Sequence, residues 1–427
     1  MFKITRKSRL VKVAAATAAI GSIAAIGFVG NSPASADPAQ FTALTGVGSD
    51  TTQDVMNALA GGFGANGNPF NAVRSASGQQ LASFDATGSE CIILKPNGKA
   101  IDRPNGSSAG RTALTRLIDG GNWPASGSLC SGSTAAGTPG TDVSGLINFA
   151  RSSSAPAFTS PPTLTYVPFG RDAVSFAYYR AAGSPVTSLT RAQLTDIFKT
   201  VGGLVVTPVV GGPSVRIIGC GIQTSSGTYS FANRAFNVNA GLEATGTTEC
   251  NNLIDADPVA VGNQPARAQE NAPEDLKARG DLATTGTQVI IGFSAGNFIA
   301  KENGTAPGLT PTSQNVGIGS ISNTGATSGT TDIGNPVAAT TPLTPSSTFY
   351  DNTTFGRVIY NVFPTTVFTN GGNNSTKTMF TNIISPSTLC AATTTIRAFG
   401  FLPVTDCGSI TTVGAGFRLD GKEIGTP

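Results

Sequence analysis

The sequence predicts a mixed α/β protein, and three observations support this class. A short apolar run that ends in a Gly/Ser/Thr turn and leads into a helical segment occurs four times. Only 12% of the residues are charged and 53 are glycine, which favours strands joined by polar loops over a helical bundle. Residues 37–427 are numerous enough for two domains.

The first 36 residues are expected to be a cleavable export signal. The basic residues of this segment are Lys3, Arg6, Lys7, Arg9 and Lys12. An apolar run over Val13–Val29 follows, and Ala34-Ser35-Ala36 offers a small-residue cleavage site. The run is short for a membrane span, and no cysteine stands at the cleavage site to carry a lipid anchor. We therefore expect a secreted protein, either extracellular or associated with the cell surface.

Removal of this signal changes the sign of the net charge. The full chain has 27 basic and 24 acidic residues, and the signal contains five of the basic ones and none of the acidic ones. The remainder therefore has 22 basic residues against 24 acidic ones, a formal charge of −2. A mildly acidic chain lacks the basic surface of a nucleic-acid-binding protein, so no nucleic-acid partner is expected.

The cysteine pattern predicts disulfides. Six cysteines follow the signal: Cys91, Cys130, Cys220, Cys250, Cys390 and Cys407. An even number in an exported chain favours disulfides, and sequential pairing (91–130, 220–250, 390–407) closes three local loops. No pair has the C-x-x-C spacing of a zinc site, so neither a metal nor a cofactor is expected. The protein is expected to be a monomer.

The absence of histidine argues against an enzyme. Gly106–Gly110 reads GSSAG, which matches the G-x-S-x-G pattern with Ser108 as the nucleophile. A Ser-His-Asp triad needs an imidazole base, however, and the chain has no histidine. No S-x-x-K motif follows the signal, and one tryptophan with no prominent carboxylate pair gives little support to a glycosidase.

Several elements can be placed from the pattern. The segment at 188–200 is the clearest helix: Thr190 and Gln193 form a capping box, and the apolar face consists of Leu194, Ile197 and Phe198. Residues 163–181 are predicted to form two strands about a turn at Gly170. Residues 377–389 are predicted to be helical up to Pro386. Residues 303–349 are either a flexible surface segment or short strands such as NVGIGSI.

Four polar turns carry the chemistry. They are GVGSDTT (46–52), NGSSAG (105–110), RSSSAP (151–156) and TSSGT (224–228). In the first, Ser49, Asp50 or Thr51 would cap the helix that buries Val55, Met56 and Leu59; Leu114, Leu117 and Ile118 form the apolar stripe after the second. Helix N-termini expose unpaired N–H groups, and small hydroxyl residues add donors. One such turn is usually a helix cap, but four aimed at one point would bind an oxyanion.

The ordered set of motifs resembles a known family. GVGSDTTQDVM, RPNGSSAG, NFARSSSAP, SLTRAQLTDIF, QTSSGT, QENAPEDL and IIGFSAGNFIA are similar, in this order, to segments of the substrate-binding proteins of phosphate ABC transporters, in particular those of an exported actinobacterial-type group. The resemblance covers most of the chain after the signal. It implies a two-lobed type II periplasmic-binding-protein-like fold with the ligand in a cleft between the lobes. The implied lobes are 40–168 plus 360–427, and 169–359.

The resemblance also implies a ligand site. A small oxyanion, preferably phosphate, would be bound for uptake through an ABC transporter permease. The implied ligand-binding residues are Ser49, Asp50, Thr51, Ser107, Ser108, Ser152, Ser153, Ser154, Ser226, Gly227 and Thr228.

Two positions depart from the family pattern. Ser154 stands where the third turn of the family has an Asp that accepts a phosphate proton, and Gln223 stands near the position of a family Arg. Asp50 is the candidate replacement for the acceptor. Arg151 and Arg171 are the candidates to replace the missing family Arg. Asp172, next to Arg171 in the sequence, is therefore included in the candidate site as well. Arg171 and Asp172 could instead form a local ion pair at a strand turn, and Arg151 could be structural.

Two functions are therefore compatible with the sequence. The first is an exported solute-binding protein that serves ABC-type uptake. The alternative is a secreted protein of the same fold that binds, scavenges or adheres without serving a transporter.

Overall fold

A computed structural model describes residues 43–125, 127–130, 139–155, 164–200, 202–207, 214–238, 267–322, 332–369, 374–410 and 419–420. The predicted export signal and Cys250 lie outside these ranges. None of the described helices is both long and apolar enough to cross a membrane.

The strands are short except for one near the middle of the chain. In chain order they are β1 Leu44–Gly48, β2 Leu81–Ser83, β3 Cys91–Ile92, β4 Ile101–Asp102, β5 Asn122–Trp123, β6 Thr141–Asp142, β7 Phe149–Ser152, β8 Leu164–Arg180, β9 Ser188–Thr190, β10 Leu204–Val206, β11 Val215–Gly219, β12 Gln288–Ser294, β13 Gly317–Ile318, β14 Ser320–Ser322, β15 Val337–Ala338, β16 Thr344–Pro345, β17 Gly356–Pro364 and β18 Leu419–Asp420.

The helices alternate with these strands. They are α1 Gln53–Leu59, α2 Ser107–Asp119, α3 Arg191–Lys199, α4 Gly227–Ala235, α5 Pro273–Leu282, α6 Ala295–Glu302, α7 Ser347–Tyr350, α8 Thr366–Thr369, α9 Asn374–Phe380, α10 Thr388–Ala391 and α11 Thr393–Ala398, with a 3₁₀ turn at Thr312–Gln314. The predicted α/β class is confirmed.

One mixed sheet organises the fold. Its strand order is β10-β11-β12-β8-β17-β7-β1-β2, and β13 and β18 also pair with β8. β1 is parallel to β2 and β7, and β11 is parallel to β12. β8 is antiparallel to β12 and β17. Two groups of parallel strands are thus joined through antiparallel pairing with β8 and β17.

β8 changes its partner along its length. Residues 164–173 pair with β17, whereas residues 174–180 pair with β12. The predicted turn at Gly170 is therefore wrong: Gly170 lies inside the strand opposite Ile359, next to an irregularity in the register. Partners on both sides and a buried apolar surface keep this segment extended.

In the part of the chain that the structure describes, the buried apolar residues form three clusters. One lies around β8, β11 and β12 and includes Phe176, Ile217 and Phe293. The other two lie around β1, β7 and β17: one contains Met56 and Phe380, and the other contains residues such as Val47 and Leu114. This division follows the two groups of parallel strands. The lobe boundaries taken from the family resemblance stay predictions.

The helix predictions hold in part. Helix α3 begins directly after Thr190, which forms the predicted capping box with Gln193, and Leu194, Ile197 and Phe198 are buried. Residues 377–389 do not form one helix to Pro386.

The helix in that region, α9, ends earlier, at Phe380. The Asn382 side chain donates to the carbonyl of Cys407 at 2.6 Å and accepts from the Ser387 amide at 3.0 Å, which draws the chain out of the helix. Of the predicted stripe on α2, Leu114 is buried and Leu117 is half-buried, but Ile118 is 39% exposed. Short strands occur within 303–349, which agrees with the second of the two structures predicted for that segment.

Two predicted disulfides are confirmed. Cys91 is bonded to Cys130, and Cys390 to Cys407. Cys220 is also disulfide-bonded, but its predicted partner lies outside the described residues.

Candidate functional site

Three of the four polar turns meet at Ser153. Its hydroxyl lies 3.2 Å from Ser49 Oγ, 3.3 Å from Ser107 Oγ and 3.1 Å from Thr51 Oγ1. The Ser153 amide donates to Ser107 Oγ at 3.0 Å. These side chains follow β1, start α2 and end β7, so the parallel pairing of β1 with β7 brings them to the same edge of the sheet.

The fourth turn closes on the same point. Thr228 Oγ1 lies 3.1 Å from Thr51 Oγ1. A Cβ added at Gly227 would lie 2.4 Å from Ser153 Oγ and 2.5 Å from Ser107 Oγ, so the α4 N-terminus packs directly on these hydroxyls. We call Ser49, Thr51, Ser107, Ser153 and Thr228 the hydroxyl cluster. All five are fully buried.

The hydroxyls of the first turn are not helix caps. α1 begins after Thr52, which makes no side-chain cap bond, and α2 begins after Gly106 without one. The prediction that Ser49, Asp50 or Thr51 caps α1 is therefore wrong. Ser226, by contrast, is the N-cap of α4, and its Oγ accepts from the amides of Thr228 and Tyr229 at 2.9 and 3.1 Å. The last residue of the third turn, Pro156, lies outside the described residues.

The cation of the cluster is Arg357, on β17. Its Nη2 donates to Thr228 Oγ1 at 2.8 Å and approaches Thr51 Oγ1 at 3.4 Å. Its Nε and Nη2 donate to Asp172 Oδ2 at 3.0 and 2.7 Å. Arg357 is 4% exposed, and its Nη1 has no hydrogen-bond partner among the described residues. One donor of a buried guanidinium therefore remains for a ligand.

Arg151 is buried behind the first turn. Its guanidinium donates to the carbonyls of Ser49, Gly48 and Gly46 at 3.1, 3.0 and 3.3 Å, and to Ser83 Oγ at 2.9 Å. Burial lowers the pKa of Arg151 to about 10. These bonds shape the loop after β1, so Arg151 has the structural role that the sequence left open as the alternative.

Arg171 and Asp172 take different partners. Arg171 Nε donates to the Tyr350 carbonyl and lies 3.5 Å from Asp351 Oδ1. Asp172 is paired with Arg357, and its Oδ1 accepts from Ser294 Oγ and the Gly296 amide at 3.0 and 3.1 Å. The expectation of a local Arg171–Asp172 pair is therefore wrong. Neighbouring residues of a strand point to opposite faces, which separates them.

Arg111 on α2 serves the outer hydroxyls. Its Nη1 donates to Ser154 Oγ at 2.6 Å and to Ser152 Oγ at 3.1 Å, and its Nη2 donates to Ser108 Oγ at 3.3 Å. Ser154, which stands where the family pattern has an Asp, thus contacts a cation. These three serines border the hydroxyl cluster, and Ser108 and Ser154 are only half-buried.

Two carboxyl groups face the cluster from the other side. Thr51 Oγ1 donates to Glu270 Oε1 at 2.5 Å. Gln223 joins the two acids: its Nε2 donates to Asp50 Oδ2 at 2.7 Å, and its Oε1 accepts from the Glu270 amide at 2.7 Å. Gln269 Nε2 also donates to Asp50 Oδ2, at 2.9 Å. Burial raises the pKa of Asp50 well above its usual value, and the neighbouring Glu270 raises it further.

Four residues of this site were missed in the sequence: Arg111, Arg357, Gln269 and Glu270. Arg357 lies in β17, and a charged residue inside the apolar run FGRVIYNVF (355–363) was the signal that could have marked it. Gln269 and Glu270 precede α5, where acidic and amide residues are common near a helix start, so no local pattern set them apart. Among the described residues, no group of three acidic or cysteine side chains could hold a metal ion.

No protein-family model matches the chain, and no curated protein sequence is similar to it. Solved structures are similar. One is described as a phosphate ABC transporter substrate-binding protein with bound phosphate from Clostridium perfringens (12% identity, TM-score 0.44, 85% of this chain and 100% of that one). An ABC-type phosphate transport receptor from Vibrio cholerae has 15% identity and a TM-score of 0.41 over 84% of this chain and 100% of that one.

A phosphate-binding protein from Stenotrophomonas maltophilia has 16% identity and a TM-score of 0.40 over 86% of this chain and 91% of that one. With TM-scores below 0.5, these likenesses do not transfer a ligand to this chain. A functional conclusion has to rest on its own side chains.

Proposed function

We propose that the protein is an exported solute-binding protein that binds a small oxyanion, preferably phosphate, at the hydroxyl cluster. The observation that carries this proposal is Arg357. A buried guanidinium with one nitrogen left unbonded among the described residues contacts the hydroxyls of Thr51 and Thr228, which belong to a cluster built from all four polar turns. An oxyanion would accept from this donor, from the hydroxyls and from the N-terminal end of α4.

The chemistry of the lining favours a small, highly oxygenated ligand. The five cluster side chains are hydroxyls, which donate without adding charge. Arg357 is neutralised by Asp172, so the site does not depend on a large positive field. Glu270 and Asp50 can accept hydrogen bonds, which suits an oxyanion that carries a proton, such as hydrogen phosphate or hydrogen arsenate.

Uptake through an ABC transporter permease is part of the proposal. Binding in a buried site requires that the protein opens to admit the ligand. We propose that the two groups of parallel strands, which are joined through β8 and β17, move apart to do so. The predicted export signal places this binding outside the cell. The same site without a transporter would make the protein a scavenger.

Titration calorimetry with phosphate, arsenate and sulfate tests the proposal. We expect phosphate to bind with a Kd in the micromolar range or tighter. Arg357→Lys retains a cation for Asp172 but loses the planar fork, and it should weaken phosphate binding by about tenfold to a hundredfold. Arg171→Lys is the matched control, since its partners lie at Tyr350 and Asp351, and it should leave the affinity unchanged.

A second pair of variants guards against a folding defect. Thr228→Ala removes a cluster hydroxyl, whereas Ser230→Ala removes an exposed hydroxyl of the same helix. Only Thr228→Ala should weaken binding. Absence of heat with all three oxyanions, on protein shown to be folded by circular dichroism, would refute the proposed function.

A further inference from the structure

Asp50 and Glu270 meet in the interior although they are 220 positions apart in the sequence. They are 3% and 2% exposed. Gln223 bonds to both, through Nε2 to the Asp50 carboxylate and through Oε1 to the Glu270 amide. Thr51 links them as well: its amide donates to Asp50 Oδ1 at 3.0 Å, and its hydroxyl donates to Glu270 Oε1 at 2.5 Å. The same two residues, Gln223 and Thr51, therefore hold both acids.

The donors around the pair are unevenly distributed. Asp50 Oδ1 accepts from the Thr51 amide at 3.0 Å, and Asp50 Oδ2 accepts from Gln223 and Gln269. Glu270 Oε1 accepts from Thr51 Oγ1 and, at 3.3 Å, from Asn271 Nδ2. Glu270 Oε2 is buried, and no donor reaches it from the described residues. A proton held between the carboxyl groups would supply the missing donor.

The charged groups that face the pair do not neutralise it. Arg151, behind the first turn, bonds to Ser83 and to main-chain carbonyls. Arg357 lies on the far side of Thr51 and is paired with Asp172. Asp275, on α5, accepts from the Gln269 amide and adds negative charge. Among the described residues no cation is hydrogen-bonded to either carboxylate, so two fully ionised carboxylates would be buried together, which is costly.

We propose that Asp50 and Glu270 share one proton at neutral pH and that this proton sets the charge of the oxyanion site. With the proton, the pair has one negative charge and can accept a hydrogen bond from a protonated ligand. Without it, the pair has two, and the added charge repels a bound anion. Glu270 is on this basis a specificity-determining residue, and the inference rests on the proposed function only in its effect on binding.

Infrared spectroscopy of the phosphate-free protein tests the shared proton directly. At about pH 7, wild type should show the carbonyl stretch of a buried protonated carboxyl group, and this band should persist above the range where free Asp and Glu ionise. The Asp50→Asn/Glu270→Gln double variant keeps the shape of both side chains but has no carboxyl group at either position, so it should lack the band. Identical spectra for the two proteins would overturn the inference.

The effect on binding is measured as phosphate affinity against pH. Taking the ratio of Kd values for wild type and Glu270→Gln cancels the ionisation of phosphate itself. This ratio should rise by about tenfold between about pH 6 and about pH 9, as the pair loses its proton in wild type alone. A ratio that does not change with pH would contradict the effect on binding.

The infrared and affinity measurements test the shared proton and the proposed function separately. A wild-type band without any phosphate binding would refute the proposed function and leave the shared proton intact. Phosphate binding without the band would refute the shared proton and leave the proposed function intact.

Discussion

The partners of each buried charged residue decide its role in this protein. Arg151 is surrounded by carbonyls and shapes a loop, whereas Arg357 has a carboxylate on one side and hydroxyls on the other and retains a free donor among the described residues. Both are almost fully buried, at 0% and 4% exposure. Burial alone therefore does not mark a binding residue. What distinguishes Arg357 is that its spare donor belongs to a guanidinium that also bonds to the hydroxyl cluster.

Asp54 on α1 is a buried acid with no such function, and it should destabilise the fold. Its Oδ1 has no partner among the described residues, and burial raises its pKa from 3.8 to about 6. The unfolded chain releases this proton near pH 4 and the folded chain near pH 6. Folding therefore becomes less favourable as the pH rises between these values, by up to about 3 kcal/mol.

Asp54→Asn should remove this penalty. Urea unfolding at about pH 8 should show a higher free energy of unfolding for the variant by up to about 3 kcal/mol, and the gain should disappear at about pH 4. Asp196→Asn, an exposed acid on α3, is the control and should change little at either pH. A gain at about pH 4 as large as that at about pH 8 would contradict the explanation.

Two elements position the site: the long strand β8 and the N-terminus of α4. β8 joins β17 to β12, and Arg357 on β17 lies opposite Asp172 on β8 in the register, so the ion pair is a cross-strand pair. The α4 N-terminus lies against the hydroxyls because residue 227 has no side chain. The neighbouring Ser153 and Ser107 oxygens occupy the space that a Cβ would need.

Gly227→Ala should therefore damage the site more than the fold. The added methyl group forces the two hydroxyls or the helix to move, at a cost of about 1–3 kcal/mol in stability. Phosphate affinity should fall by at least about tenfold, because the displaced groups are those proposed to hold the ligand. Calorimetry and thermal unfolding on the same samples separate the two effects. Unchanged affinity would show that the α4 N-terminus does not line the ligand site.

At the scale of the whole molecule, the site joins segments that the family resemblance assigns to different lobes. The Ser108 amide donates to the Ser225 carbonyl at 3.0 Å, and Asn105 and Gln269 exchange hydrogen bonds through their amide side chains. A Cβ at Gly106 would lie 2.5 Å from the Ser225 carbonyl oxygen. These contacts hold the two segments against each other, and under the proposed function they correspond to the closed, ligand-holding arrangement.

Phosphate should then compact the protein in solution. Small-angle scattering is expected to show a smaller radius of gyration with saturating phosphate than without it, since ligand-bound hydroxyls hold the two bodies together. Thr228→Ala at the same phosphate concentration is the control and should remain extended. An identical radius of gyration with and without phosphate in wild type would contradict the proposal that the protein closes on its ligand.

Local sequence patterns predicted the local structure of the protein well. The capping box before α3, the buried faces of α1 and α3, and two disulfides follow from spacing alone, because each depends on neighbours within a few dozen residues. The four hydroxyl turns were also visible, and the structure brings them together. The prediction of a turn at Gly170 was wrong because glycine inside a strand is compatible with either a bend or close packing.

The sequence by itself determined the components: hydroxyl-rich turns at the ends of strands, a chain without histidine, and cysteines in pairs that can close local loops. Only the tertiary structure decided how these components act together. Arg357 rather than Arg151 or Arg171 serves the cluster, and Glu270 joins Asp50, because strand register and helix packing bring together residues that are far apart in the chain. A local pattern records which groups a turn offers, but a charge acquires its role from partners that no local pattern contains.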